Sequence, residues 1–281
     1  MASTIDLHIH TTASDGSDSP EMLLQSLKRS GITTFAVTDH DTIDGALETE
    51  KLVTSGFRFI RGIEFSCETP AGKCHILGYG FDPDHPSFQA ALNEGKALRQ
   101  EKLETRTRYL RDKLGIELTR EENQWLRSLQ SPGKPHFGKI VMARGLADSI
   151  DTAIQKYINP CRVPRDRIAA ETAVKAILAA GGLPVWAHPL GGEGEKRLTE
   201  DQFRTQLEVL LGYGIRGLEC HYSRYSREDA AFLTAQAGRH RLLISGGSDY
   251  HGTNKQNLSL GQLSADGSPT APEALSILFH V

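Results

Sequence analysis

The chain has 281 residues, 38% of them hydrophobic, which is enough to bury a full core as one α/β barrel or as a domain carrying an insertion. A formal net charge of -3 excludes a broad basic surface that grips nucleic-acid backbone regardless of sequence, and leaves room for a local basic pocket. No run approaches the roughly 18 apolar residues of a membrane span, the opening Met-Ala-Ser-Thr-Ile-Asp lacks the regions of a signal peptide, and Cys67, Cys74, Cys161 and Cys220 show no CxxC spacing. The expectation is a cytoplasmic protein with reduced thiols, no membrane contact and no obligatory protein partner.

In chain order, short apolar runs rich in β-branched or aromatic residues read as seven strands, at 5–10, 34–38, 57–65, 75–81, 183–187, 217–220 and 242–245. Between them lie stripes at helical spacing: Leu23 and Leu27, then Ala173, Val174, Ile177 and Leu178, then Phe203, Leu207, Leu210 and Leu211. Each stripe ends near a glycine, Gly31, Gly181 or Gly212. Continuous apolar strands alternating with helices predict a parallel sheet covered by helices, closed as a barrel. Residues 82–170 break the rhythm and read as a mostly helical inserted subdomain, with the barrel formed by 1–81 and 171–281. Its charged helix, 93–113, holds Lys96, Arg99, Lys102, Arg106, Arg108, Arg111 and Lys113, a run that reads as a solvated face.

Ionisable groups gather where the strands run out, which is where barrels place their chemistry. His8 and His10 lie two apart on the first strand and so point to one side. Asp15 follows that strand, and Thr38-Asp-His-Asp, with His40, ends the second. Glu64, His188 in Trp-Ala-His-Pro, and Asp249 and His251 in Ser-Asp-Tyr-His complete the set, with His75 the exception because it begins its run. Imidazole and carboxylate without thiolate suit Mn, Zn or Fe, and the ligands are too many for one ion. Two or three divalent ions sharing a hydroxide between them provide a nucleophile at neutral pH and neutralise charge on a phosphoryl group, which is phosphoester chemistry.

The segments Asp6-Leu-His-Ile-His, Thr38-Asp-His-Asp, Ala187-His-Pro and Ser248-Asp-Tyr-His, in this order, resemble the motifs of the polymerase and histidinol phosphatase (PHP) family. The likeness covers residues 4–81 and 171–252. It implies a distorted (β/α)7 TIM-like barrel, and it places one metal on His8, His10, Glu64 and Asp249, a second on Glu64, His75 and His188, and a third on Asp15, His40 and His251. It also implies that the insertion roofs the site, as in relatives acting on nucleoside 3',5'-bisphosphates or on the 5' end of short RNA. Asp249, His251 and His188 are then the catalytic candidates, with Asp249 or a nearby histidine assisting proton transfer to the leaving oxygen. Lys134-Pro-His-Phe resembles an Arg-x-His element of those relatives, and Leu190-Gly-Gly-Glu-Gly departs from the Gly-Arg they often carry.

Further phosphate contacts are assigned to Lys134, His136, Arg162, Arg224 and Lys255 on charge and neighbourhood. The substrate expected is a small phosphorylated metabolite, a nucleotide or short oligonucleotide before a cyclic or simple sugar phosphate or histidinol phosphate. Gly191-Gly-Glu-Gly lacks a P-loop pattern and reads as a loop beside the site. Tyr222-Ser-Arg-Tyr reads either as a substrate contact or as a buried tyrosine beside a helix cap. An amidohydrolase also opens on a His-x-His strand, but that class would be expected to use a bridging lysine where this chain has Glu64 and His75. A non-catalytic nucleic-acid module has only the basic helix in its favour.

Overall fold

A computed structural model describes residues 3–192 and 195–281, so Glu193 and Gly194 of the glycine-rich loop, and Met1 and Ala2, lie outside the described residues. Strand β1 (Ile5–Ile9) leads to helix α1 (Pro20–Ser30). Ser19 caps α1 by accepting the Met22 N–H, Pro20 fits a first turn that needs no amide hydrogen, and Gly31, at φ 72°, closes it. Leu23 and Leu27 then pack on Phe35 and Val37 of β2 (Thr34–Val37). After α2 (Asp44–Leu52) come the long hairpin strands β3 (Arg58–Thr69) and β4 (Gly72–Tyr79). The next segment is helical: α3 (Pro86–Leu114), α4 (Arg120–Ser128), α5 (Lys134–Ala143) and α6 (Ile150–Ala153). The chain returns through β5 (Ile168–Ala169), α7 (Ala170–Ala179), β6 (Leu183–Trp186), α8 (Glu200–Tyr213), β7 (Gly217–Tyr222), α9 (Arg227–His240) and β8 (Leu243–Gly247).

The main path of the sheet has seven strands in the order β1-β2-β3-β4-β6-β7-β8, with the two-residue β5 added beside β3. The segment after β8 turns back onto β1: Asp249 N–H donates to His8 O at 2.9 Å, and His10 N–H donates to Tyr250 O at 2.9 Å. The sheet is therefore a nearly closed barrel, as the sequence predicts. Ile5, Leu7, Leu77, Tyr79 and Val185 share one buried cluster with Leu275 and Ile277 from the C-terminal segment. A separate cluster, including Leu103, Leu110, Phe137, Ile140 and Val141, packs within the helical segment.

Three expectations are corrected. The sheet is not wholly parallel, because β4 runs antiparallel to both β3 and β6. Only Pro70 and Ala71 separate β3 from β4, and a parallel return needs a crossover of about a dozen residues. This reversal removes the anomaly of His75: the start of an antiparallel strand lies at the same barrel end as the finish of its neighbours, and His75 pairs with Ser66 near the end of β3. Helix α8 passes through Gly212 and is closed by Gly214. The charged helix is not only a solvated face, since Arg99, Lys102 and Arg106 are buried while Arg108, Arg111 and Lys113 are exposed. Among the described residues no helix is long and apolar enough to cross a membrane.

Candidate metal centre

The barrel mouth is built from local departures from regular strand. Pairing slips by a residue between Asp6 and Ile9 in β1 and between Glu219 and His221 in β7, bulges that re-aim side chains at a rim. Three non-glycine residues there have left-handed backbone: Asp41 at φ 52°, His188 at 29° and Asp249 at 59°. Such conformations persist only where surrounding bonds over-determine them. His188 N–H donates to Glu219 Oε2 at 2.7 Å, Asp249 N–H is held by His8 O, and Asp41 N–H donates to Glu64 O at 3.0 Å. Buried Asp6 fastens the loop preceding Asp249, accepting from Ser248 N at 2.9 Å and Ser248 Oγ at 2.5 Å, and from Gly261 N at 2.9 Å.

Glu64 lies at the middle of the cluster and is 1% exposed. Its Oε2 is 3.3 Å from His8 Nε2, 3.2 Å from His10 Nε2 and 3.0 Å from His40 Nδ1. Its Oε1 is 2.9 Å from His75 Nδ1 and 3.1 Å from His188 Nε2. Asp249 Oδ1 faces His10 Nε2 at 3.3 Å and His8 Nε2 at 3.6 Å. Asp15 Oδ1 stands 3.2 Å from His251 Nε2. Three groups have ligand atoms close enough to share an ion: His8, His10 and Asp249; His40, Glu64 and His75; and His10, Asp15, His40 and His251. His188 joins Glu64 and His75 through a 3.3 Å approach to His75 Nδ1. His10 and His40 thus each belong to two groups, a finer sharing than the resemblance implied.

The far nitrogen of each ring explains the inward aim of the near one. His8 Nδ1 is 2.9 Å from Glu219 Oε1, His251 Nδ1 is 2.7 Å from Asp249 O, His10 Nδ1 is 3.4 Å from Ser14 Oγ, and His188 Nδ1 is 3.5 Å from Glu195 Oε2. With Nδ1 occupied, Nε2 of these four rings is left for the interior. His8 Nε2, His10 Nε2, His251 Nε2, His40 Nδ1 and Glu64 Oε2 are buried without a hydrogen-bond partner in suitable geometry. Five lone-pair donors orphaned around one volume fit divalent cations and fit little else.

Charge tells the same story. Burial opposes ionisation of Glu64, yet His40, His75 and His8 hold its carboxyl well below the ordinary range. Burial also opposes the imidazolium of His10 and of His188, but Asp249 and Glu64 draw the first up to about 9, and Glu195 and Glu64 draw the second up to about 10. His40, where burial wins, is pulled down to about 3. The carboxylates thus collect protons on lone pairs that a metal ion would take, so metal binding releases protons.

The other sequence-predicted residues are dispersed. Lys255 Nζ pairs with Asp249 Oδ2 at 3.1 Å, and Tyr222 Oη donates to the same oxygen at 3.1 Å. Tyr222 and Tyr225 are buried, as the second reading of that segment expects. Lys134 starts α5 and donates to Asn159 Oδ1 at 2.7 Å, and with Arg162 it lines a cleft of about 380 Å³ shared with Lys73, Arg106 and Asp166. His136 is buried, accepts Gly133 N–H at 3.0 Å and meets Trp125 edge-to-face, so its accessible edge is small. Arg224 is exposed in the turn after β7. The structure adds residues that pattern did not reveal: Glu219, Asp39, and Arg99, which ties Asp41 and Ser66 together at 2.6 and 2.9 Å. Asp39 accepts from Thr11 N, Thr11 Oγ1 and Ser14 Oγ at 2.8, 2.6 and 2.5 Å. The one available signal was Glu219, a lone acid inside the apolar run 217–220.

Close packing under β1 supplies a stability test. A Cβ on Gly247 would overlap the Cβ and backbone nitrogen of His8, neither of which can rotate away. Gly247→Ala is expected to cost about 3 kcal/mol or more in denaturant unfolding. A variant as stable as the parent would show that β8 and β1 are further apart than described.

Barrel mouth, ligand types and orphaned lone pairs together define a metal-dependent hydrolase. The chain belongs to the PHP domain family, whose model matches residues 6–159. It is 30% identical over 269 residues to a 3',5'-nucleoside bisphosphate phosphatase of Chromobacterium violaceum, covering 92% of this chain and 90% of the relative. It is also 30% identical over 258 residues to a 5'-3' exoribonuclease of Haemophilus influenzae, covering 89% and 91%. Among solved structures, an amidohydrolase from C. violaceum with bound sulfate superposes at a TM-score of 0.85 with 26% identity, covering 99% of this chain and 95% of that one. The protein is a metal-dependent phosphoric ester hydrolase. As for the lysine an amidohydrolase would be expected to use, Lys73 is the only one on β3 and β4, and it pairs with Asp166.

Proposed function

We propose that the substrate is a small phosphorylated nucleotide, a nucleoside 3',5'-bisphosphate or the 5' end of a short RNA. The observation that carries this reading is the basic cleft lined by Lys73, Arg106, Lys134 and Arg162, together with Asp166. Lys73 and His75 are two apart on β4 and share a face, so the cleft starts about 7 Å from a ligand. The names of the two relatives support the same choice.

In this reading the centre takes two or three divalent ions, Mn, Zn or Fe, on His8, His10, Asp15, His40, Glu64, His75, His188, Asp249 and His251. When bound, the ions neutralise charge developing on the phosphoryl group and lower the pKa of water. Lys255 and Tyr222 both hold Asp249 Oδ2, which fixes that carboxylate where it or a neighbouring histidine passes a proton to the leaving oxygen. Helices α3 to α6, in segment 82–170, roof the mouth of the barrel formed by 1–81 and 171–281, shielding the site from bulk water and selecting the substrate. The four free thiols suit a reducing cytoplasm.

The test is a phosphate-release screen over nucleoside bisphosphates, 5'-phosphorylated short RNA and sugar phosphates with Mn²⁺ present, paired with metal analysis. Nucleotides are expected to be turned over fastest. Chelation is expected to lower the rate by about 10³-fold or more, reversibly on adding Mn²⁺. Preference for sugar phosphates would overturn the nucleotide assignment, and full activity in chelator would overturn the metal mechanism.

A further inference from the structure

The start of α5 lies against the metal centre. A Cβ on Gly133 would stand 3.7 Å from Asp15 Oδ2 and 3.6 Å from Arg99 Nη1, and the Gly133 N–H donates to His136 Nδ1 at 3.0 Å. His136 and Lys139 lie three apart on one face of α5. On both, Asp15 is a charge that opposes the downward pull of burial, so that face is turned towards the rim. Lys134 is two positions from His136, about 200° round a helix of 3.6 residues per turn, and lines the basic cleft instead. Helix α5 thus has one side on the cleft and another on the Asp15 rim.

The rim side carries hydrogen-bonding groups with nothing to bind. His136 is 4% exposed, and because its Nδ1 accepts, the hydrogen of the neutral ring is on Nε2. Burial pulls its pKa down to about 4, so at neutral pH the ring offers a donor without a charge. Among the described residues that Nε2 meets no acceptor. Ser131 Oγ, in the same turn, is buried without a partner. Buried polar groups are ordinarily paired, so two orphans in one turn call for a partner.

Trp125 stands beside them. Helix α4 buries Leu126 but leaves Trp125 38% exposed. The indole and the His136 ring meet with centroids 5.6 Å apart at 67°, an edge-to-face contact that holds the indole without a second ring stacked on it. An aromatic surface beside a neutral N–H donor matches a nucleobase, whose π face stacks on indole and whose ring nitrogens and carbonyl oxygens accept hydrogen bonds. A phosphate is the poorer match, because the strong contacts to phosphate are charge-assisted and this donor is neutral.

We propose that Trp125, with His136, is the platform for the base of the nucleotide substrate, the indole stacking on the base and His136 Nε2 donating to one of its acceptors. This rests on the nucleotide phosphoesterase reading above and adds what would select a nucleotide over a sugar phosphate: a contact to the base, made by α4 and α5 at the Asp15 rim. Every base has a π face, so the platform tells base from no base and leaves the identity of the base largely unread.

Two measurements on the metal-loaded protein test the proposal. The chain has two tryptophans, and Trp186 is 2% exposed and stacked on Phe203, so a ligand-dependent change in emission reports Trp125. Adenosine 5'-phosphate is expected to quench the emission, ribose 5-phosphate is expected to leave it unchanged, and Trp125→Phe is expected to lose the quench. The second measurement is the ratio of kcat/KM for adenosine 3',5'-bisphosphate to that for its base-free analogue, with hydrogen in place of adenine. Trp125→Leu is expected to lower that ratio about 10-fold, and Trp125→Phe to keep most of it. A purely structural role for the indole would lower both rates together and leave the ratio alone.

An unchanged ratio in folded Trp125→Leu overturns the proposal. Equal quenching by ribose 5-phosphate also overturns it, since the signal would then follow the phosphate and not a stacked base. Should the parent turn over no phosphoester and yet show a base-dependent quench that Trp125→Phe abolishes, the functional reading fails while the platform stands. Turnover of nucleotides with a ratio indifferent to Trp125→Leu has the reverse meaning.

Discussion

Glu64→Gln is expected to lower kcat/KM by about 10³-fold or more and to reduce bound metal, because no other side chain touches as many ligands. One carboxylate oxygen faces His8, His10 and His40 within 3.3 Å, and the other faces His75 and His188 within 3.1 Å. Glutamine keeps the shape but replaces one oxygen with an amide that donates, so one half of the cluster meets N–H where it needs a lone pair. The negative charge that offsets the ions is lost as well. Steady-state kinetics and metal quantification on the folded variant check this, and a variant that retains full metal content and near-parental kcat/KM would remove Glu64 from the centre.

Glu219→Gln is expected to weaken metal binding by about 10–100-fold although Glu219 is not assigned as a ligand. Its two oxygens accept from His8 Nδ1 at 2.9 Å and from the His188 backbone N–H at 2.7 Å. Both partners are donors when His8 offers its Nε2 lone pair inward. Glutamine has one acceptor to give. It either turns the His8 ring to the wrong tautomer or releases the backbone of His188, which sits at φ 29° and relies on that bond. Chelator competition calorimetry reads the change in affinity. Parental affinity, with circular dichroism confirming the fold, would make Glu219 a bystander.

Legibility in the sequence followed how local each feature is. Strands β1, β2, β6 and β8 were visible as apolar runs because each is buried on both faces and bounded by turn residues. The ligand-type residues that the structure gathers round Glu64 were visible because histidine is scarce and strand ends are easy to locate. Direction of travel was harder to see. That β4 runs backwards follows from the two residues before it, Pro70 and Ala71, a turn signal that the run starting at His75 concealed by omitting Gly72 to Cys74. Glu219 looked like any acid in a strand, since its partners are 211 and 31 residues away. Lys102 and Arg106 were hidden by the rule that cations face water. Helical spacing joins them to Leu103 and Leu110 on the buried side, but nothing local says that a basic face will be covered.

The backbone bonds joining Asp249 and Tyr250 to His8 and His10 set a timetable as well as a shape. His8 and His10 precede Asp249 and His251 by about 240 residues, so translation makes the two sides of the mouth at different times. Until the second side is made, the group of His8, His10 and Asp249 and the group of His10, Asp15, His40 and His251 each lack a ligand, while His40, Glu64 and His75 are already present. Joining segments so far apart also defers that closure until the later one has been made. The motif that shuts the barrel is therefore one that also arms it, so a chain cut short before it keeps His40, Glu64 and His75 but leaves the other two groups of ligands incomplete.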